Sequence, residues 1–209
     1  MAARVILLHG LYMNRLAMWP LANKLEQLGW APLCLSYSST RIDSAALFQQ
    51  LDAEIDPNQP CYLIGHSLGG VMLSHYAHQT SFHPNSRLVT LGSPLRSSVI
   101  AKQLQQWGLG GLLGNARQYG LTENGFEQWH SDIALGSLAG NCDFGLGRIT
   151  GLLSGSSDGT VTQAETELIG MQDHIILPVS HTGMLLSDAV AKQCDHFLHY
   201  GQFTHQDPL

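Results

Sequence analysis

Cys61-Tyr62-Leu63-Ile64-Gly65-His66-Ser67-Leu68-Gly69 joins an apolar run to a serine flanked by glycines, and a helix-compatible stretch, Leu68 to Gln79, follows at once. A buried strand turning sharply into a helix has this pattern. Such a turn folds the backbone close upon itself, so glycines at 65 and 69 remove side chains where main chains approach, and Ser67 is left projecting at the strand's C-terminal end. The helix that starts there points N–H groups towards negative charge developing beside the serine. These features read as a nucleophile elbow with Ser67 as the nucleophile; the alternative is a serine that only caps a helix after a glycine turn.

Outward from the elbow, strands and helices alternate. Val5-Ile6-Leu7-Leu8, ending at His9-Gly10, reads as a first buried strand, and Trp19 to Gly29 as a crossover helix with a glycine stop. Ala31 to Tyr37 supplies a second strand and Ser44 to Ile55 a helix ending before Pro57. Cys61 to Ile64 is the third strand and Arg87 to Pro94 the fourth. Further on, Arg148 to Leu153 and His174 to Val179 are strand candidates, Pro178 placing the latter near a strand end or sheet edge. Gly183 to Tyr200 is a closing helix, and 201–209 a tail. This alternation predicts one α/β domain over 1–209, with a mainly parallel sheet of about six strands covered by helices on both faces. Right-handed crossovers put the loops containing Gly10, Ser67 and Pro94 at one sheet edge, where ligands of open α/β sheets bind.

Residues 96–147 break the rhythm, with six glycines from Gly108 to Gly125 among apolar residues such as Trp107, Leu109, Leu112 and Leu113. This segment is expected to be an irregular cap or lid whose apolar side chains floor an acyl site, or else a packing loop.

Composition narrows the classes. The 209 residues are 44% hydrophobic and only 12% charged, with a net charge of −6 and no lysine/arginine block. Nucleic acid and anionic membrane surfaces are therefore not expected partners. The N-terminal apolar stretch is too short for a secretory signal or a membrane span and runs straight into the glycine turn, so a cytoplasmic protein with no transmembrane segment is expected. Cys34, Cys61, Cys142 and Cys194 lack C-x-x-C spacing and the eleven histidines form no metal-binding motif, so neither a disulfide framework nor a metal is assigned.

A serine nucleophile needs a base that takes its proton and returns it to the leaving group, and a carboxylate that orients that base. Asp158, in the Ser/Gly-rich turn before Val161, and His181, just beyond the His174–Val179 strand, both fall on loops at the expected edge in the order Ser, Asp, His. Asp158 also fits an ordinary turn residue, and His181 a helix-entry residue. Asp173 and Asp132 are reserve acids, His174 and His196 reserve bases. Two N–H donors are needed for an oxyanion; Leu68 follows the nucleophile, and Leu11 in the His9-Gly10-Leu11 turn is the second candidate. His9 itself is expected to shape that turn.

In Leu8-His9-Gly10, Gly65-His66-Ser67-Leu68-Gly69, Leu91-Gly92-Ser93-Pro94, Ser157-Asp158-Gly159-Thr160-Val161 and Ser180-His181-Thr182-Gly183, nearly the whole chain resembles the α/β-hydrolase superfamily. The resemblance is to its compact bacterial lipase/esterase branch and the GPI-inositol-deacylase-like lipases. It implies an α/β-hydrolase fold, an oxyanion donor at Leu11, a nucleophile at Ser67, an acid at Asp158 and a base at His181. The latter lipases often carry histidine after the G-[ST]-P turn, where this chain has Leu95. The expected activity is cleavage of a small-molecule or lipid carboxylic ester through an acyl-enzyme, without cofactor. A thioesterase or acyltransferase using the same three residues is the first alternative, and a non-catalytic lipid- or protein-binding domain the second.

Overall fold

The computed structural model describes residues 2–122, 125–142 and 155–205. Six parallel strands make one sheet: β1 (Arg4–Leu8), β2 (Ala31–Leu35), β3 (Tyr62–His66), β4 (Arg87–Leu91), β5 (Ala134–Gly140) and β6 (Asp173–Leu177), in the spatial order β2-β1-β3-β4-β5-β6. After β1 the chain steps outward to β2, then crosses back over β1 to place β3 and build in the opposite direction. The loops leaving β1 and β3 therefore diverge above neighbouring strands, the topological switch point at which open α/β sheets bind ligands. In that register Gly65 lies beside Leu8 on one side and Thr90 on the other.

Alternate strand residues feed two cores. Ile6, Leu8, Leu63, Leu88 and Leu135 face α2 (Ser44–Glu54) and α3 (Leu68–Ala77). Val5, Leu7, Ile64, Val89, Leu91 and Leu138 face α1 (Trp19–Gln27) and the last helix, Asp188–Tyr200. Both faces are covered, which is why the strands read as continuous apolar runs. Local signals set the helix ends: Asp43 Oδ1 accepts the Ala46 N–H at 3.0 Å to start α2, and Ser187 Oγ accepts the Val190 N–H at 3.3 Å to start the last helix. Pro178 lies just past β6, an edge strand.

The fifth strand departs from the sequence reading. Ala134-Leu135-Gly136-Ser137-Leu138-Ala139-Gly140 forms β5, inside the range assigned to a cap or lid, while the expected Arg148–Leu153 strand lies outside the described residues. Small residues hid it, since glycine, alanine and serine carry little strand propensity. Packing explains their presence: a Cβ on Gly136 would come within 2.6 Å of the Phe197 ring, and one on Gly140 within 2.3 Å of the Val179 carbonyl. What leaves the sheet between β4 and β5 includes α4 (Val99–Gln106) and 3₁₀ turns over Gly110–Tyr119. A four-residue helix α5 (Gln163–Thr166) precedes β6, and the last helix is α6.

The elbow glycines are needed for close approach. A Cβ on Gly69 would lie 2.2 Å from the Leu8 carbonyl oxygen, and one on Gly65 2.3 Å from the Gly70 Cα. Gly69→Ala is expected to lower unfolding free energy by about 1–3 kcal/mol, because the colliding atoms are backbone and cannot rotate away. An unchanged urea midpoint would contradict this packing.

Candidate active site

Ser67 sits between β3 and α3 with φ 54° and ψ −123°, a conformation that side chains resist. Its N–H donates to the Leu91 carbonyl at 2.8 Å, while its own carbonyl accepts the Gly70 N–H at 3.0 Å. Although Ser67 holds the N-cap position of α3, its hydroxyl caps no N–H of that helix. The helix-cap alternative thus lacks the bond that would define it. Leu68 follows as the first helical residue, where the N–H has no intrahelical acceptor.

Asp158 and His181 are brought together. Both are buried, Asp158 Oδ2 lies 2.7 Å from His181 Nδ1, and the His181 N–H donates to the Asp158 carbonyl at 2.9 Å. Asp158 Oδ1 separately accepts the N–H groups of Thr160 at 2.9 Å and Val161 at 2.7 Å. Asp158 is therefore a turn residue as well as the partner of a histidine, one oxygen serving each purpose. With Nδ1–H donated to the carboxylate, the neutral ring carries its lone pair on Nε2. The end of β4 lies against this pair: a Cβ on Gly92 would be 2.8 Å from Asp158 Oδ2 and 3.0 Å from His181 Nδ1. Since Ser67 bonds to the preceding residue, Leu91, the same strand end touches all three groups.

The turn after β1 reaches the same place. A Cβ on Gly10 would be 3.0 Å from the Ser67 Cβ, and Leu11 is the next residue. His9 is fully buried, donates from Nδ1 to the Gly10 carbonyl at 2.9 Å, and stacks on Tyr37 with ring centroids 4.7 Å apart. Its bonds hold the turn, as expected from the sequence. The reserve residues lie elsewhere. Asp173 opens β6 and Asp132 precedes β5, both at the opposite sheet edge; His174 bonds to Thr166, and His196, on α6, bonds to the Gln202 carbonyl beyond the helix end. Among the described residues, no group of three or more His, Cys, Asp or Glu is placed to hold a metal ion.

Sequence reading passed over His66. It is fully buried, and its Nε2 donates to the His181 carbonyl at 3.0 Å, with the two rings 4.8 Å apart. Strand alternation offered the clue, because His66 shares the face of Ile64, on the α1 and α6 side where the His181 loop runs. Burial, reinforced by the neighbouring His181, pushes the His66 pKa down to about 3.

Burial also lowers His9, His75 and His174. A histidine kept neutral in the fold but of ordinary basicity when unfolded, near pH 6.5, lets the unfolded chain bind protons that the native state refuses. Stability from these groups is complete above about pH 6.5 and falls as pH drops, for His66 down to about pH 3. His66 alone should remove on the order of 1 kcal/mol at pH 5.5, which lowers Tm by about 2–4 °C. Thermal melts from pH 8 to pH 5 check this; a flat Tm would contradict the burial of neutral imidazoles.

The sequence matches the model of the Alpha/beta hydrolase family over residues 5–202. The chain belongs to the α/β-hydrolase family. A search of curated protein sequences gives no match. Among solved structures, this α/β hydrolase is similar to the Bacillus licheniformis lipase BlEst2 in propeptide form, with TM-score 0.71 and 15% identity over 100% of this chain and 52% of the lipase. It thus spans about half the length of that protein. It is also similar to a soluble variant of monoglyceride lipase from Saccharomyces cerevisiae (TM-score 0.63, 15% identity, 98% of this chain and 88% of that one). The RedJ thioesterase of the prodiginine pathway in Streptomyces coelicolor is a third (TM-score 0.57, 11% identity, 94% and 85%). These likenesses establish the shared fold. Among the described residues, no helix of this α/β hydrolase is long and apolar enough to cross a membrane.

Proposed function

We propose that this α/β hydrolase cleaves carboxylic esters of small molecules or lipids through an acyl-enzyme on Ser67. The observation that carries the reading is the buried 2.7 Å pair of Asp158 and His181, packed against the strand end that also anchors the strained Ser67 turn. A structural turn needs neither a buried imidazole beside its carboxylate nor a serine at φ 54° whose hydroxyl caps nothing.

In the proposed reaction Ser67 Oγ attacks the ester carbonyl while His181 Nε2 takes its proton. Asp158 holds the imidazole in the required tautomer and offsets the charge of the imidazolium. The oxyanion accepts hydrogen bonds from the backbone N–H groups of Leu68 and Leu11. Collapse of the tetrahedral species expels the alcohol, which takes the proton from His181. Water, deprotonated by His181, then attacks the acyl-serine; the second tetrahedral species collapses, Ser67 regains its proton and the carboxylic acid leaves. This chemistry calls on no metal or organic cofactor.

The deciding experiment combines p-nitrophenyl esters of graded acyl length, a matched acyl thioester and stoichiometric labelling by a fluorophosphonate. Ester turnover and labelling that both depend on Ser67 support the reading. Preference for the thioester would redirect it to thioesterase chemistry, and absence of both signals would leave a binding domain.

A further inference from the structure

Among the described non-glycine residues, Ser67 and Tyr12 have positive φ, 54° and 59° respectively, and the Gly10 at the start of the Tyr12 turn packs against Ser67, where an added Cβ would lie 3.0 Å from the Ser67 Cβ. The Met13 N–H donates to the Gly10 carbonyl at 3.3 Å, closing a four-residue turn in which Tyr12 holds the third position. Positive φ there is the usual place of glycine or asparagine. Packing gives no reason for tyrosine, since Tyr12 is 65% exposed.

Two polar contacts hold it. The Tyr12 N–H donates to Ser39 Oγ at 3.0 Å, and the Tyr12 hydroxyl donates to the Leu112 carbonyl in the Gly110–Tyr119 segment. These anchors are themselves joined. Asn115 bonds both the N–H and the carbonyl of Ile42 at 2.7 Å, and its own N–H donates to the Thr40 carbonyl. The turn after β1, the loop after β2 and the segment between β4 and β5 thus form a closed hydrogen-bonded triangle with Tyr12 at one corner.

We infer that Tyr12 is a positioning residue which, through its hydroxyl, holds the Gly10–Met13 turn strained and so keeps the Leu11 N–H aimed at the oxyanion. This rests on the proposed serine-hydrolase reading. If the hydroxyl tie is lost, Tyr12 is free to relax towards negative φ, and the Gly10–Met13 turn that carries the Leu11 N–H shifts with it. The Gly110–Tyr119 segment thereby becomes coupled to transition-state stabilisation without contacting the reacting atoms.

Wild type, Tyr12→Phe and Tyr12→Gly test this, each assayed for kcat and KM on p-nitrophenyl butyrate beside a Ser67→Ala control, with the Leu11 amide followed by 15N NMR. Tyr12→Phe keeps the ring but loses the tie, and is expected to lower kcat about tenfold with KM changed less than about twofold, accompanied by a shifted Leu11 resonance. Tyr12→Gly accommodates positive φ without strain and is expected to restore kcat to within about threefold of wild type. Full kcat in Tyr12→Phe, an equal loss in both variants, or a change confined to KM overturns the inference. If wild type has no Ser67-dependent turnover, the serine-hydrolase reading itself falls; an unmoved Leu11 resonance in an active Tyr12→Phe condemns the positioning role alone.

Discussion

Ser67→Ala is expected to reduce kcat for p-nitrophenyl esters by about 10⁴-fold or more and to abolish fluorophosphonate labelling, with little change in thermal stability. The size follows from removing the one atom that forms the acyl bond; what remains is catalysis by binding and the oxyanion donors alone. Stability should hold because alanine meets the same backbone strain as serine, and the hydroxyl caps no helix N–H that would be orphaned. Ser67→Gly sharpens the case. Glycine relieves φ 54°, so this variant should be equally inactive yet more stable by about 1 kcal/mol, a Tm gain of about 2–4 °C. An active Ser67→Ala protein would end the nucleophile assignment, and a destabilised glycine variant would mean the turn is not strained.

The second large effect is expected at Asp158→Asn, a loss of about 10³–10⁴-fold in kcat with the fold retained. The geometry dictates which way the new amide faces. Thr160 and Val161 both donate to Oδ1, so the asparagine oxygen must occupy that position. Its NH2 group then replaces Oδ2 beside His181 Nδ1, donating where an acceptor stood. His181 is driven into the tautomer with its proton on Nε2, where it cannot accept the Ser67 proton. A kcat near wild type would remove Asp158 from the mechanism. Asp173 and Asp132 are unsuited to replace it, since each stands at the opposite edge of the sheet.

How far the sequence could be read depended on the kind of signal. The first four strands and the helices between them were legible because burial on both faces demands unbroken apolar runs, and glycine, proline or a capping carboxylate marks the ends. β5 was not, because its Gly136 and Gly140 answer to distant atoms, the Phe197 ring and the Val179 carbonyl, rather than to strand propensity. Ser67, Asp158 and His181 stood out as loop residues at strand ends in a recognisable order. His66 did not, as its partner is the backbone of a residue 115 positions away. Tyr12 likewise looked like an ordinary loop aromatic, for nothing local reveals positive φ or a bond to Leu112.

By itself the sequence determined the layered α/β architecture, the edge at which the loops gather, the strand-turn-helix around Ser67, and the expectation of an acid and a base after it. These follow from short-range patterns: hydrophobic period, turn chemistry and the chain order of loops. Only the tertiary structure decided that Asp158 gives one oxygen to its own turn and the other to His181, that His66 supports the His181 backbone, and that three separated loops lock Tyr12 against its preferred conformation. Each of these depends on angstrom-scale contacts between remote segments, which arise when packing on both faces of the sheet fixes where the loops meet.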